Sequence, residues 1–160
     1  MDHNYYTNED LRNGIYSLAR QMTLDNWKPD LIVGVLRGGI IPAVYLSHWY
    51  ECPMIAVEWS TRDNAVGQNL DDTRIVKELI KRKSVLLVDD ICDSGLTLKE
   101  IEDQIKEQYD KSKSKKKTFD LKVACLHYNI GQDLFDPNYF HLEINKNEDP
   151  RWVVYEWERN

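Results

Sequence analysis

Ten consecutive residues, Val88 to Thr97, have the sequence VDDICDSGLT and contain three carboxylates and two hydroxyls. Asp89 and Asp90 end an apolar run, and Asp93 lies three residues later in a predicted turn. The next four residues open a predicted helix: Ser94, Gly95, Leu96 and Thr97. Free N–H groups and the dipole at a helix start favour an anion such as phosphate. The pattern predicts a sugar-phosphate site, with an ordinary helix N-cap at Ser94 as the alternative.

A glycine-containing turn follows the first apolar run of the chain. It consists of Leu36, Arg37, Gly38 and Gly39. Two glycines let backbone N–H groups approach an anion, and the Arg37 guanidinium adds a fork of donors for phosphate oxygens. A tight strand-to-helix turn is the alternative interpretation.

Alternating strands and helices are predicted to position these residues. The predicted strands are Leu31–Leu36, Met54–Glu58, Ser84–Asp90 and Leu121–His127, with shorter extended segments at Tyr139–Ile144 and Trp152–Tyr155. The predicted helices lie at about residues 8–24, where Thr7 and Asp10 resemble a capping box, at Ile40–Tyr50 and Ile75–Lys81, and from Ser94 onward. Short apolar strands alternating with helices predict a three-layer α/β/α domain with a parallel sheet. Ligands bind at the carboxyl ends of such strands, where both motifs lie.

Length and composition narrow the possible classes of protein. With 160 residues, the chain is expected to form one domain over residues 1–160. The net charge of −6 provides no global positive field for nucleic acid or anionic lipid. No apolar run is long enough to span a bilayer and the first residues are too polar for a signal peptide, so a cytoplasmic location is expected. The cysteines, Cys52, Cys92 and Cys125, are predicted to be reduced thiols.

Two polar stretches are predicted to be loops. Residues 59–74 have no clear periodicity and predict a mobile loop of the length that functional lids often have. Lys111 to Lys117, which contains five lysines and two serines, predicts a solvated loop.

VDDICDSGLT resembles the signature of the type I phosphoribosyltransferases, which bind phosphoribosyl pyrophosphate (PRPP). The resemblance implies that Asp89 and Asp90 bind the ribose hydroxyls and hold Mg²⁺. It places Asp93 near the base and the reacting centre, and it implies that Ser94 to Thr97 hold the 5′-phosphate. Leu96 replaces the more usual glycine or lysine, but a backbone N–H contact survives that change.

Other segments extend the resemblance over nearly the whole chain. The LRGG turn, Leu36 to Gly39, is similar to the family's pyrophosphate loop, and Arg37 is implied in catalysis. Ser60, Arg62 and Asp63 resemble the start of the flexible loop of some members. Arg62 is therefore a candidate for closing over pyrophosphate, with a solvated surface arginine as the alternative.

The C-terminal sequence WVVYEWE resembles the tail of the short xanthine-guanine type, in a base-binding hood at about residues 128–160. The resemblance implies that Trp152 stacks on a purine, that Val153 offers backbone groups to the base edge, and that Glu158 lies near a second metal. A hydrophobic edge strand is the alternative. Aromatic stacking on a flat heterocycle is physically sound.

Two departures from the family pattern affect the choice of base. The lysine that the 6-oxopurine enzymes carry at the end of the fourth strand falls on Tyr128 here, and a hydroxyl brings no charge. Glu156 replaces the usual proline and adds an acid near the base site.

The expected function is transfer of the phosphoribosyl group from PRPP to a purine or purine-like base, with Mg²⁺ as cofactor, in nucleotide salvage. A non-catalytic PRPP-binding regulator is the alternative, and an unrelated α/β signalling or sugar-phosphate protein is a third possibility. Cys92 is not required as a nucleophile because the reaction needs no covalent intermediate. The resemblance also implies a homodimer or homotetramer, and no nucleic-acid or membrane partner.

Overall fold

The computed structural model describes residues 3–59, 73–81, 83–112 and 118–158. The helices within these ranges are α1 (Asn8–Leu24), α2 (Ile40–Tyr50), α3 (Thr73–Ile80) and α4 (Leu96–Lys111), with a short 3₁₀ helix at Glu156–Glu158. The strands are β1 (Asn4–Tyr6), β2 (Leu31–Leu36), β3 (Met54–Glu58), β4 (Val85–Cys92), β5 (Leu121–Asn129), β6 (Tyr139–Ile144) and β7 (Val153–Tyr155). None of the helices described is both long and apolar enough to cross a membrane.

Five of the strands form one parallel sheet in the order β3-β2-β4-β5-β6. Because all of them run in the same direction, their carboxyl ends meet at one edge, which we call the carboxyl edge. The central strand is β4, which carries Asp89 and Asp90. A separate two-stranded parallel sheet pairs β1 with β7. The predicted parallel α/β architecture is confirmed.

Helices cover both faces of the five-stranded sheet. Apolar side chains of α1 and α2 pack on one face and those of α3 and α4 on the other. Consecutive side chains of a strand point to opposite faces, and both faces of this sheet are covered by helices. Every position in the first half of β4 is therefore apolar. Leu86 and Leu87 are both completely buried, one in each core.

Several boundaries differ from those predicted. The strands β4 and β5 each continue two residues further, because Ile91 and Cys92 still pair with His127 and Tyr128 after the apolar runs end. The capping box of Thr7 and Asp10 is confirmed.

The two ends of α4 and the strands β1 and β7 also differ from the sequence predictions. The N-cap of α4 is Gly95, with a φ of 77°, and not Ser94, so the simple N-cap interpretation of Ser94 is wrong. Lys111 is the last residue of α4 rather than part of a loop, and residues 113–117 lie outside the described residues. The short strand β1 was not predicted, and β7 begins at Val153 rather than Trp152.

A buried aromatic cluster joins the small sheet to the large one. The rings of Tyr6 and His127 lie 4.8 Å apart, and His127 Nδ1 is 2.9 Å from Tyr155 Oη. Tyr155 Oη in turn donates to the backbone carbonyl of Asp90 at 3.0 Å, so His127 supplies the proton in its own bond to Tyr155. Burial, together with the nearby His141, lowers the pKa of His127 to about 4, although Asp10 opposes the shift.

This cluster makes the stability of the fold depend on pH. The pKa of His127 is about 4 in the native protein and 6.5 in its unperturbed state. Between these values the unfolded chain binds more protons, so the free energy of unfolding falls as the pH is lowered from 6.5 to 4. In His127→Gln we expect this fall in the free energy of unfolding to be smaller by about 1–3 kcal/mol, as measured by urea unfolding at a series of pH values. Parallel pH profiles for the two proteins would contradict the assignment.

Candidate active site

The two adjacent carboxylates of β4 lie at the carboxyl edge and are only partly exposed. Burial raises the pKa of Asp89 well above its ordinary value, and the neighbouring Asp90 adds to the shift. Burial also raises the pKa of Asp90 to about 6, with a further contribution from the charge of Glu158. Two carboxylates that resist ionisation would be stabilised in the charged form by a cation or by hydrogen-bond donors of a ligand.

The glycine loop after β2 packs directly against Asp90. A Cβ atom on Gly38 would lie 1.8 Å from Asp90 Oδ2, and one on Gly39 would lie 2.5 Å from the carbonyl oxygen of Val88. A side chain at Gly39 would meet backbone atoms, and one at Gly38 would require the Asp90 carboxylate to move. The Leu36–Arg37 peptide bond is cis, and Arg37 is exposed beside the acid pair. The structure thus brings the two sequence motifs into contact at the carboxyl edge.

The turn from β4 into α4 is shaped by Gly95. Its φ of 77° is in the left-handed region, and a Cβ there would lie 2.8 Å from Cβ of Phe135. The hydroxyl of Ser94 accepts a hydrogen bond from the N–H of Leu96 at 3.3 Å. The first N–H groups of α4 and the hydroxyl of Thr97 are at the start of the helix, which is the arrangement that anion sites use.

Asp93 lies in a cluster whose other members come from two further strand ends. Lys146, in the turn after β6, donates from Nζ to Asp93 Oδ2 at 2.6 Å. Asn129, the last residue of β5, donates from Nδ2 to the carbonyl oxygen of Asp93 at 3.2 Å and to its Oδ1 at 3.3 Å. The Oδ1 atom of Asn129 accepts from the backbone N–H of Lys146 at 3.1 Å. Asn129 therefore holds the Asp93 turn and the Lys146 turn together.

Trp152 belongs to the same cluster. Lys146 Nζ lies 4.7 Å from the centroid of the Trp152 ring, and the side chain of Trp152 remains 46% exposed. Val153, the next residue, is buried in β7. An aromatic face, a cation and a carboxylate thus stand together at the carboxyl edge, and this group is here called the Lys146 cluster.

Sequence reasoning missed both Lys146 and Asn129. It assigned the base contact at the end of β5 to Tyr128, but the Tyr128 hydroxyl donates to Asp136, which raises the pKa of Tyr128 to about 12. The ring of Tyr128 packs against Phe140, with centroids 5.2 Å apart. At the end of β5 the residue that contacts Asp93 is Asn129, whereas the Tyr128 hydroxyl is bonded to Asp136. Parallel pairing of β6 with β5 would have been the signal that the following turn reaches this edge.

The predicted metal ligands form an incomplete set. Glu158 Oε2 accepts from the backbone N–H of Tyr155 at 3.2 Å, and its charge contributes to the raised pKa of Asp90. Among the described residues, no group of three or more histidine, cysteine or acidic side chains could hold a metal ion. Asp89, Asp90 and Glu158 are not such a group, so the acid pair as the Mg²⁺ ligands and Glu158 near a second metal remain two separate predictions. The adjacent carboxylates alone still fit Mg²⁺, which takes one or two protein carboxylates and completes its shell with substrate phosphates and water.

The predicted lid lies mostly outside the described residues. Ser60, Arg62 and Asp63 are among the undescribed positions. Trp59, directly before them, is buried, and its indole N–H donates to Glu100 on α4 at 3.0 Å.

Cys92, at the end of β4, is buried, and burial raises its pKa to about 12. A thiol with so high a pKa is a poor nucleophile, in agreement with the sequence prediction.

A parallel α/β domain with carboxylates, a glycine loop and a helix start at its carboxyl edge belongs to the class that binds phosphorylated ligands there. Comparison with known proteins defines the family. The model of the phosphoribosyl transferase domain matches residues 3–156, and the chain belongs to that transferase family.

Individual relatives agree with this assignment. The hypoxanthine-guanine phosphoribosyltransferase of Aquifex aeolicus is 34% identical over 103 residues, which are 61% of this chain and 58% of that enzyme. The Schizosaccharomyces pombe protein of the same name is 24% identical and aligns with 96% of this chain and 88% of its own. The crystal structure of a purine phosphoribosyltransferase from Pyrococcus horikoshii has a TM-score of 0.70 at 28% identity, covering 100% of this chain and 97% of that one. These similarities give no support to the regulatory alternative.

The contact between the glycine loop and the acid pair can be tested by a double-mutant cycle. The φ of Gly38 is not in the left-handed region, so alanine suits the backbone and meets only the Asp90 carboxylate. We expect Gly38→Ala to lower the free energy of unfolding by about 1–3 kcal/mol through overpacking. Asp90→Ala creates the missing space, so the same change should cost less in that background, with a coupling energy of about 0.5–3 kcal/mol in chemical denaturation. Additive effects would show that the two motifs are not in contact.

Proposed function

We propose that this protein transfers the phosphoribosyl group of PRPP to a purine base and releases pyrophosphate, as a salvage enzyme. One observation carries the proposal: the acid pair, the glycine loop, the start of α4 and the Lys146 cluster all meet at the carboxyl edge. These groups offer partners for a diol, two kinds of phosphate and a flat heterocycle. The ligand that needs all of them at once is a sugar phosphate in contact with a base.

The acid pair and the two loops would hold PRPP. Carboxylates accept hydrogen bonds from vicinal hydroxyls, so Asp89 and Asp90 bind the ribose. The 5′-phosphate is held by Ser94 to Thr97, where α4 begins with Ser94 exposed and Thr97 partly exposed. The pyrophosphate lies on the glycine loop, where Arg37 supplies charged donors and two glycines expose the backbone. Arg62 is proposed as a further pyrophosphate contact.

Asp89 and Asp90 would hold Mg²⁺ together with oxygens of the substrate. The positive charge of the Mg²⁺ ion would neutralise charge on the leaving pyrophosphate and would keep Asp89 and Asp90 ionised. Glu158, whose charge contributes to the raised pKa of Asp90, is proposed to lie near a second metal ion.

The base would lie on Trp152. The N–H of Asn4 donates to the carbonyl oxygen of Trp152 at 3.0 Å, so that group faces β1. Backbone groups of successive strand residues point to opposite sides, which leaves those of Val153 on the side away from β1. Val153 can therefore bind the base edge through its backbone, as proposed from the sequence.

The reaction is a displacement at the ribose carbon that bears pyrophosphate. The bond from this carbon to the pyrophosphate oxygen breaks, a bond to a ring nitrogen of the base forms, and that base loses one proton. Asp93 is the carboxylate that faces the base side, and it accepts this proton. The protein contributes by positioning both substrates and by stabilising the charge of the leaving group.

We further propose a cytoplasmic location and a homodimer or homotetramer. Support for the first comes from the three free cysteines, two of them buried, which suit a reducing compartment. Support for the second comes from exposed aromatic side chains on α1 and α2, Tyr16 at 60% and Trp49 at 53%. Neither nucleic acid nor a membrane is proposed as a partner.

The proposed activity is tested by pyrophosphate release from PRPP and Mg²⁺ with guanine, hypoxanthine, xanthine, adenine and uracil supplied separately. We expect turnover with at least one purine and none with uracil. Loss of the proton acceptor in Asp93→Asn should lower kcat by about 10²- to 10⁴-fold. PRPP affinity of the variant, measured by calorimetry, should change little because the acid pair and the phosphate loop remain.

Two results would contradict the proposal. Failure of the wild-type protein to bind PRPP would exclude the assigned site, and PRPP binding without turnover of any base would favour the regulatory alternative. Asp103→Asn is a suitable control, because this aspartate pairs with Lys99 on an exposed part of α4.

A further inference from the structure

The hydroxyl group of Tyr155 joins two parts of the protein that are far apart in the sequence. It donates to the backbone carbonyl oxygen of Asp90 at 3.0 Å, and the two residues are 65 positions apart in the chain. Tyr155 is only 2% exposed, so water does not compete for this hydrogen bond. Asp90 is one of the acids proposed to hold the ribose, and Tyr155 ends the short strand that begins at Val153. One hydroxyl therefore links the proposed ribose site to the segment proposed to bind the base.

The bond is made where the backbone of β4 has lost one of its neighbouring strands. Among the described residues, β2 pairs with β4 from Val85 as far as Val88, whereas β5 pairs with β4 up to Cys92. Asp90 lies beyond the part of β4 that is paired with β2. The Tyr155 hydroxyl thus attaches to β4 at the point where β2 has turned away into the glycine loop.

Neighbouring rings and His127 hold the Tyr155 side chain in place. The single hydroxyl proton of Tyr155 is used in the bond to Asp90, so the oxygen accepts from His127 Nδ1 at 2.9 Å. The ring of Tyr6 packs edge-on against His127 and Tyr155, with centroids 4.8 and 5.5 Å away. The ring of Trp157 stacks on Tyr155, with centroids 4.7 Å apart and planes 11° apart. The hydroxyl is therefore held by packing as well as by two hydrogen bonds.

We infer that Tyr155 is a positioning residue for the transfer: its bond to the Asp90 backbone aligns the base-binding segment with the ribose-binding acids, and His127 acts through it. This role rests on the proposed function. Val153 and Tyr155 are the two ends of one strand, about 7 Å apart at about 3.3 Å per residue, so a shift of Tyr155 also moves Val153. The reaction joins the base to a ribose carbon, and a misplacement of about 1 Å between reacting partners can cost about 10²-fold in rate.

Tyr6 provides a matched control in the same aromatic cluster. Its hydroxyl also donates to a backbone carbonyl, that of Asp10 at 2.9 Å, and the residue is 3% exposed. The two tyrosines lie opposite each other where β1 pairs with β7. Asp10 belongs to the first turn of α1, a helix that carries none of the residues proposed to bind substrate. Replacement by phenylalanine at each position therefore separates the loss of a buried hydrogen bond from the loss of the link to Asp90.

The first test compares two ligands by calorimetry in the wild type, Tyr155→Phe and Tyr6→Phe, with Mg²⁺ present. PRPP occupies the ribose and phosphate sites alone, whereas the purine nucleotides GMP and IMP also reach the base-binding segment. In Tyr155→Phe we expect nucleotide affinity to fall by about tenfold, with PRPP affinity within about twofold of the wild type. In Tyr6→Phe both affinities should be unchanged, even if its Tm falls as much as that of Tyr155→Phe.

Steady-state kinetics with guanine and hypoxanthine give a second readout. In Tyr155→Phe we expect kcat to fall by about 10- to 100-fold with little change in KM for PRPP, because the substrates bind but are misaligned. His127→Leu keeps the tyrosine but removes its donor, so it should lower kcat in the same direction by a smaller factor. In the double variant His127→Leu should cause no further loss, because its effect passes through the Tyr155 hydroxyl.

Several outcomes would overturn the inference. Unchanged nucleotide affinity and kcat in Tyr155→Phe, or equal losses in Tyr6→Phe, would exclude a positioning role. An equal fall in PRPP and nucleotide affinity would show that the bond supports the acids alone. Additive losses in the double variant would remove His127 from the role, and if Tyr155→Phe does not fold, an unchanged kcat in His127→Leu excludes the link. A wild type that binds neither PRPP nor nucleotide overturns the proposed function itself.

Discussion

The architecture of this site depends on two adjacent carboxylates held at the end of a buried strand. Burial raises the pKa of both Asp89 and Asp90, which makes their ionised forms costly until a cation or a ligand supplies opposite charge or hydrogen bonds. The surrounding backbone is adapted to their presence, since any side chain on Gly38 would collide with Asp90. Glycine is thus favoured in the loop after β2 for two reasons. A larger residue would meet the Asp90 carboxylate, and a backbone without side chains lets an anion approach closely.

The acid pair is also connected to the part of the protein proposed to bind the base. Tyr155 donates to the Asp90 carbonyl and is itself held by His127, so β7 is fixed to the end of β4. Trp152 and Val153 lie three and two residues before Tyr155 on the same short segment. The Tyr155 hydroxyl thus provides a direct hydrogen bond from β7 to the backbone of the acid pair, in addition to the connection along the chain through β5 and β6. Among the described strands β7 pairs with the three-residue β1 alone, so the Tyr155 bond adds a second attachment for this short segment.

Most of the fold could be predicted from local sequence, and the site only in part. Apolar runs and helical periodicity indicated the core strands and helices because burial on both faces of a parallel sheet leaves a continuous pattern. The acid motif and the glycine loop were found because each is contiguous. Lys146 was missed because its contact with Asp93 depends on the pairing of β6 with β5, which no short pattern encodes. Tyr128 was assigned to the base because the resemblance places the lysine of the 6-oxopurine enzymes at that position, whereas Asn129, which ends β5, contacts Asp93.

The two ends of β5 show why residue type alone does not identify a functional lysine. Lys122 and Lys146 each pair with an aspartate and lie over a tryptophan, although Lys122 also donates to Tyr139 Oη at 2.9 Å. Their difference is topological: Lys122 stands where the strand begins, and Lys146 stands beside the carboxyl edge, where Asp93 and the start of α4 also lie. A chain with a net charge of −6 attracts a phosphorylated ligand only where its few site cations are placed together. Arg37, in the loop after β2, and Lys146, in the turn after β6, follow strands of the same parallel sheet, and the parallel order of these strands brings both cations to one edge.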